Sequence, residues 1–208
     1  MVLKRKHLYL EEKRCRGDIV LKSENINHDF VSETERLIIR LLDEQDYKRW
    51  LEGFNNNYPP QYKYDDDHLD ISEWTEDAFQ NVVKKHRELA ADDRAYVFGI
   101  FRKMDGQHIG KVEFSTIMRG EFQWGMIGYR LHNQFWRYGY GKEAVKEGLN
   151  IAFSHLHFHR IEAHINVDNI PSINLAESVG MEFECTRKGF IFEFGEWTDN
   201  LVYYKNAK

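Results

Sequence analysis

Residues 133–144 read NQFWRYGYGKEA, and this stretch constrains the fold more than any other. It joins a strand-like run, FQWGMIGYRL (122–131), to a helix-like run over roughly 140–155. In that second run Ala144, Val145, Gly148, Leu149 and Ala152 recur at helical spacing and form one stripe. A helix opened by a Gly-x-Gly turn offers first-turn N–H groups without intrahelical partners, at the positive end of the macrodipole. Glycines let such backbone approach an anion closely, so the junction suits a diphosphate, and Lys142 adds a cation at the helix start. The competing reading is a plain turn made by Gly139 and Gly141.

On either side of the junction the pattern is mixed α+β. ERLIIRLL (35–42) reads as a strand, and Asp43 as the N-cap of a helix through DEQDYKRWLEGF. Residues 55–68, NNNYPPQYKYDDDH, are turn-rich and predict a long loop. A helix follows over 73–90, with Trp74, Ala78, Val82 and Leu89 on one face. Three antiparallel strands come next, at 95–101, 108–117 and 122–131, the alternation of Val112, Phe114, Phe122 and Trp124 implying one buried face. Beyond the junction helix, 159–167 predicts a strand and 171–180 a helix stopped by Gly180. A hairpin turned at Gly195 closes the chain.

A chain of 208 residues suits one substantial domain, here expected over 34–208, preceded by a charged arm over 1–33. HLYLEE and DIVLKSE are two short strand candidates in that arm. The net charge of −5 argues against direct nucleic-acid binding, which favours a basic excess. No apolar run approaches the ~20 residues of a membrane span, and the charged N-terminus excludes a secretory signal, so a cytoplasmic protein is expected. Cys15 and Cys185 stand far apart, as idle thiols do in a reducing compartment.

Three phosphate ligands compete for the glycine junction. A Walker loop fails, because Trp136 stands at its first glycine and Glu143 follows the lysine. GYGKEA (139–144) matches the dinucleotide fingerprint, with Glu162 about 20 residues on. The context opposes it: bulky residues separate strand from glycines, and too few parallel strands follow. The third ligand is an acyl-coenzyme A. IGYRLHNQFWRYGYGKEAV, NVDNIPSINLAESVGMEFE and the closing FxxGxWxD (192–199) resemble, in order, the GNAT acyltransferase superfamily in its RimJ/RimL-type branch. The resemblance spans about 170 residues, from ERLIIR to LVYYKN.

What the resemblance implies is a mixed central sheet, splayed between two central strands and flanked by helices, that uses acetyl-CoA as co-substrate and no metal. Arg137, Tyr138, Gly139, Tyr140, Gly141 and Lys142 would hold the coenzyme diphosphate. Tyr129 and Leu131 would end a strand that parts from its neighbour, leaving backbone free for the pantetheine arm. Asn169 would bond that arm, Ser172 would lie near the thioester sulfur, and an N–H near Leu131 would stabilise the tetrahedral oxyanion. The sequence departs from the family pattern at three places. Arg137 stands at a position often glycine, Ala176 where many relatives place a proton-donating tyrosine, and Met126 where many carry a glutamate.

Acetyl transfer needs a neutral amine, a polarised thioester and a protonated leaving thiolate. An α-amine, with a pKa near ~8, is partly neutral at pH 7, whereas a lysine near ~10.4 needs a stronger base. A protein N-terminus is therefore the expected acceptor, plausibly alanine or serine of a ribosomal protein. A small amine is the second expectation, and a coenzyme A-binding module without turnover the third. Glu113 is the candidate base and Ser172 the candidate proton donor, with Glu162 a second base and helix capping the other role for Ser172. The chain is expected to act as a monomer or homodimer. His155, His157, His159 and His164 lack the companions of a metal site, and DDDH (65–68) reads as a solvated acidic loop. Tyr58, Tyr62, Tyr64 and Trp74 either line an acceptor groove or pack the helical cover.

Overall fold

The computed structural model describes residues 30–65 and 74–208. Its elements run β1 (Val31–Glu33), β2 (Leu37–Leu41), α1 (Tyr47–Asn55), α2 (Glu76–Ala91), β3 (Ala95–Arg102), β4 (His108–Met118) and β5 (Trp124–Leu131). They continue with α3 (Tyr140–Ser154), β6 (Arg160–Asn166), α4 (Ile170–Ser178), β7 (Glu182–Glu193) and β8 (Glu196–Asn206). One mixed sheet holds all the strands in the order β1-β2-β3-β4-β5-β6-β8-β7. Only β5 and β6 pair in parallel, as they must, because α3 carries the chain across between them.

Local chemistry sets the ends of the elements. Asp43 does cap, but it caps a 3-10 turn (Glu44–Asp46) through a reciprocal capping box, and α1 begins only at Tyr47. Thr75 accepts from the N–H of Ala78 and starts α2. Phe194 and Gly195 both take positive φ (53° and 84°), a two-residue turn of the kind that fits strand twist. Gly180, at φ 77°, ends α4 as its sequence predicts.

Two cores sandwich the sheet. On one face the α3 stripe packs with Val112, Phe114 and Ile127 of the strands and Ala176 of α4, all buried. A Cβ on Gly148 would come within 2.9 Å of the Val112 side chain, so glycine there lets α3 lie close to β4. On the other face Trp50, Phe79 and Val83 from α1 and α2 pack on Leu42 and Phe101.

Three expectations need correction. The buried face of α2 is centred on Phe79 and Val83 rather than on Ala78, Val82 and Leu89, because the larger apolar groups take the space under the helix. Phe122 is exposed in the turn, and β5 starts at Trp124. Residues 31–33, assigned by sequence to the arm, pair as β1 with β2 at the sheet edge. HLYLEE and DIVLKSE lie outside the described residues. Among the described residues no helix is long and apolar enough to cross a membrane.

Candidate active site

β5 and β6 share only three register pairs, the last being Met126 with Glu162. Beyond it β5 stays paired to β4 as far as Leu131, while β6 stays paired to β8 as far as Asn166. Each strand is thus held by its outer neighbour while the two part from one another. Residues 127–131 of β5 face a gap with one edge free of strand partners. A cavity of about 610 Å³ fills this gap, with Tyr129, Leu131, Arg137, Gly139, Gly141, Asn169 and Ser172 in its wall. Those are seven of the residues singled out by sequence, brought together from a strand end, a loop and a second helix start.

The loop between β5 and α3 is tied to its surroundings at several points. Its backbone passes through left-handed conformations at Arg137 (φ 68°) and Gly139 (φ 80°). For arginine this costs about 1–2 kcal/mol, so neighbours must hold it there. Arg36 does so from outside the loop: its guanidinium donates to the Tyr138 carbonyl (2.9 Å) and to Glu143 (2.7 Å) and lies over the Tyr140 ring. Burial alone would raise the Glu143 carboxyl, but bonds from Thr34 and Arg36 prevail and hold it below the usual range. Trp136 folds back and donates to the Leu131 carbonyl at 2.9 Å. No side chain caps α3, and among the described residues the N–H groups of Tyr140, Gly141 and Lys142 have no acceptor within the chain. These amides, at the positive end of a 15-residue helix, are what an anion would meet.

On the opposite wall Asn169 caps α4, its Oδ1 accepting from the Ser172 N–H at 3.3 Å. The Tyr129 hydroxyl is 2.9 Å from the Ser172 hydroxyl, where either oxygen can be the donor, and 3.2 Å from the Ser172 carbonyl, a second acceptor for its single proton. Burial pushes the Tyr129 phenol up, opposed by the Ser172 bond, so it stays protonated at neutral pH. Ala176 is fully buried in the main core and offers nothing to the cavity.

Glu113 lies on β4 across from Gly128 and pairs with Lys111 at 2.8 Å. A Cβ on Gly128 would sit 2.9 Å from a Glu113 oxygen, so the missing side chain leaves the carboxylate reachable beside the free stretch of β5. Lys111 lines the cavity, whereas Glu113, the base expected from sequence, is not among the residues of its wall. Glu162 is caged instead, with Arg160 at 2.8 Å, His164 at 2.9 Å and Arg187 at 3.4 Å. Burial works to raise its pKa, yet the hydrogen bonds and charges of this cage hold it low, a structural role.

Tyr138, Tyr140 and Lys142 stand outside the cavity wall: Tyr138 and Lys142 face solvent, and the Tyr140 ring is buried under Arg36. They belong to the loop through their backbone. Sequence left the four aromatics open, and the structure divides them. Tyr62 and Tyr64 line the cavity, whereas Trp74 packs on Trp50 at 5.2 Å and the Tyr58 ring is exposed. Tyr62 meets Trp136 at a tilt of 59°, and Tyr64 meets both Tyr62 and Phe194 of the β7–β8 turn. The Tyr64 hydroxyl bonds Asp168, and Lys63 reaches the same carboxylate at 3.4 Å. A strap thus crosses the mouth of the gap. Asn133 anchors it, bonding Tyr58 and Asp65. Lys111, Asp65 and Leu175 in the wall were not foreseen; strand alternation puts Lys111 on the same face as Glu113, the one signal that pointed to it. No group of metal ligands occurs among the described residues.

Comparison with known proteins gives a consistent result. Residues 36–182 match a family model described as an acetyltransferase (GNAT) domain. A probable N-acetyltransferase of Bacillus subtilis, YjcK, is 32% identical over 129 residues, 62% of this chain and 71% of that protein. The Escherichia coli [ribosomal protein uS5]-alanine N-acetyltransferase is 28% identical over 177 residues, covering 81% of this chain and 87% of its own length. Among solved structures, Mycobacterium smegmatis RimJ in complex with CoA-disulfide superposes with a TM-score of 0.71 at 22% identity, over 86% of this chain and 88% of that one.

Proposed function

We propose that this chain, which belongs to the GNAT acetyltransferase family and is an acetyl-CoA-dependent N-acetyltransferase, moves the acetyl group directly onto the N-terminal alanine or serine of a protein, with ribosomal proteins the first class to test. One observation carries the reading: the register of β5 and β6 stops at Met126 beside a helix start whose first amides have no acceptor among the described residues. A diphosphate at Arg137–Lys142 and a thioester arm along 127–131 would satisfy both sets of groups. Asn169 and Ser172 would then flank the arm from α4. Glu113, beside Gly128, would take a proton from the incoming amine. An N–H near Leu131 would face the oxyanion. The similarity to the uS5-alanine enzyme supports a protein N-terminus as acceptor, and an α-amine makes the smaller demand on a base already paired with Lys111.

A small amine is the second reading. The observation favouring it is the strap of Tyr62 and Tyr64, tied to Asp168 and Phe194, which narrows the mouth. The two are separated by a panel of acceptors with acetyl-CoA and thiol detection. Peptides beginning with Ala or Ser are expected to turn over, with kcat/KM at least about tenfold above that for spermidine or an aminoglycoside. The opposite order would replace the peptide by a small amine.

Arg36 provides a test of the loop alone. Arg36→Ala is expected to weaken coenzyme A binding about tenfold, equivalent to roughly 1.4 kcal/mol, because the left-handed turn loses its outside support. Titration calorimetry reads this directly, and an unchanged Kd would show that the loop holds itself.

A further inference from the structure

We propose that Tyr129 is the positioning residue that supplies Ser172 with the proton Ser172 passes to the leaving sulfur. The inference rests on the acetyl-transfer reading and deepens it. A serine hydroxyl is a poor acid beside a thiol, whose ordinary pKa is near ~8.5. Ser172 can give up its proton only while receiving another. Among the described residues, the hydroxyl in contact with Ser172 Oγ is that of Tyr129, at 2.9 Å.

The geometry suits such a relay. Tyr129 comes from the diverging stretch of β5 and Ser172 from the first turn of α4, so their bond spans the gap in which the thioester would lie. Asn169 fixes the Ser172 backbone through the N–H it accepts. The single Tyr129 proton can go to the Ser172 carbonyl at 3.2 Å or to Oγ at 2.9 Å, and the relay uses the second arrangement, in which the Ser172 hydrogen must point elsewhere; both side chains line the cavity. Ala176 leaves α4 without a phenol, and Tyr129 brings one to Ser172 from β5.

The step balances as follows. The amine nitrogen bonds to the carbonyl carbon, the carbonyl π pair moves to oxygen, and the nitrogen sheds one proton. On collapse the C=O bond reforms and the C–S bond breaks with its electron pair on sulfur. Sulfur takes the Ser172 Oγ proton as Ser172 takes that of Tyr129. The phenolate recovers a proton from solvent, equivalent to the one the amine released. The products are an amide and a thiol.

The test compares Tyr129→Phe, Ser172→Ala and the double variant with two acyl donors: acetyl-CoA, and an acetyl aryl thioester whose thiol is ionised at the assay pH and needs no proton. With acetyl-CoA each single variant is expected to lower kcat at least about tenfold with KM within about twofold, the double falling no further than the worse single. With the aryl thioester Tyr129→Phe and wild type should be equal. A raised KM at unchanged kcat, additive losses, or equal slowing with both donors would overturn the relay. If Tyr129→Phe does not fold, the proton inventory of wild-type kcat in mixed light and heavy water decides: a curve expected for two protons in flight, a straight line overturning it. The amine used is whichever the acceptor panel shows to be acetylated, so a wrong acceptor leaves this test intact. Thiol release to neither amine nor water would overturn both readings.

Discussion

Gly139→Asp is expected to abolish detectable coenzyme A binding while the protein stays folded. Gly139 is the N-cap of α3 at φ 80°, ψ 0°, and an L side chain there costs about 1–2 kcal/mol, within the range a domain tolerates. A Cβ at this position would meet nothing closer than Arg36, at 3.4 Å, so no clash forces refolding. An aspartate at an N-cap accepts from the first-turn N–H groups. It would therefore occupy the amides that a diphosphate needs and repel the phosphates by charge. The loss should exceed a hundredfold in Kd, more than about 2.7 kcal/mol, and be read by calorimetry together with a melting temperature within a few degrees of wild type. Retained affinity would mean that the coenzyme is held elsewhere.

Lowering the pH from 6.5 to 4.5 should remove a large part of the folding stability, most of it above the range in which carboxylates titrate. His108 and His132 are each 3% exposed and their rings are 3.2 Å apart between Nδ1 and Nε2. Burial pushes both imidazoles down to about 3, with Arg40 adding to this for His108, and His108 and Arg130 for His132. In the unfolded chain a histidine titrates near ~6.5. Between these values the unfolded state holds the extra protons, so stability is intact above pH 6.5 and falls as pH drops. Each ring contributes about 1.4 kcal/mol per pH unit, and two units cost the pair on the order of 5 kcal/mol, comparable to the whole stability of many domains. Asp93, Glu143 and Glu162 are held low, so the stability they contribute starts to be lost only at the bottom of this window, as pH falls through the ordinary carboxylate value, and goes on being lost below it. Urea midpoints at pH 7, 6, 5 and 4.5 would show the slope. The variant His108→Gln/His132→Gln should flatten it to what His86, also lowered by burial, contributes. A wild-type midpoint constant to pH 4.5 would show that the rings are not held neutral.

Much of the loop between β5 and α3 was readable because its chemistry is local. Two glycines, a helical stripe and a missing cap side chain all lie within residues 139–152, and local sequence fixes backbone conformation. Gly180, Gly195 and the α3 stripe followed from the same kind of signal. The register of α2 did not, because apolar groups at neighbouring positions compete and only packing against Trp50 and Phe101 selects Phe79 and Val83.

The gap itself was legible only through resemblance. Pairing is set by the neighbours of each strand: β4 holds β5 to its end, β8 holds β6, and nothing in either strand alone states that the two part after Met126. The meeting of Tyr129 with Ser172, 43 residues apart, and the cage around Glu162 likewise depend on where other elements carry these side chains. Sequence by itself determined the α+β order and a helix start able to take an anion, since hydrogen-bond supply and backbone sterics act over a few residues. The cavity, the company each carboxylate keeps and the strap across the mouth were decided by tertiary structure, because burial and charge pairing depend on distances in space.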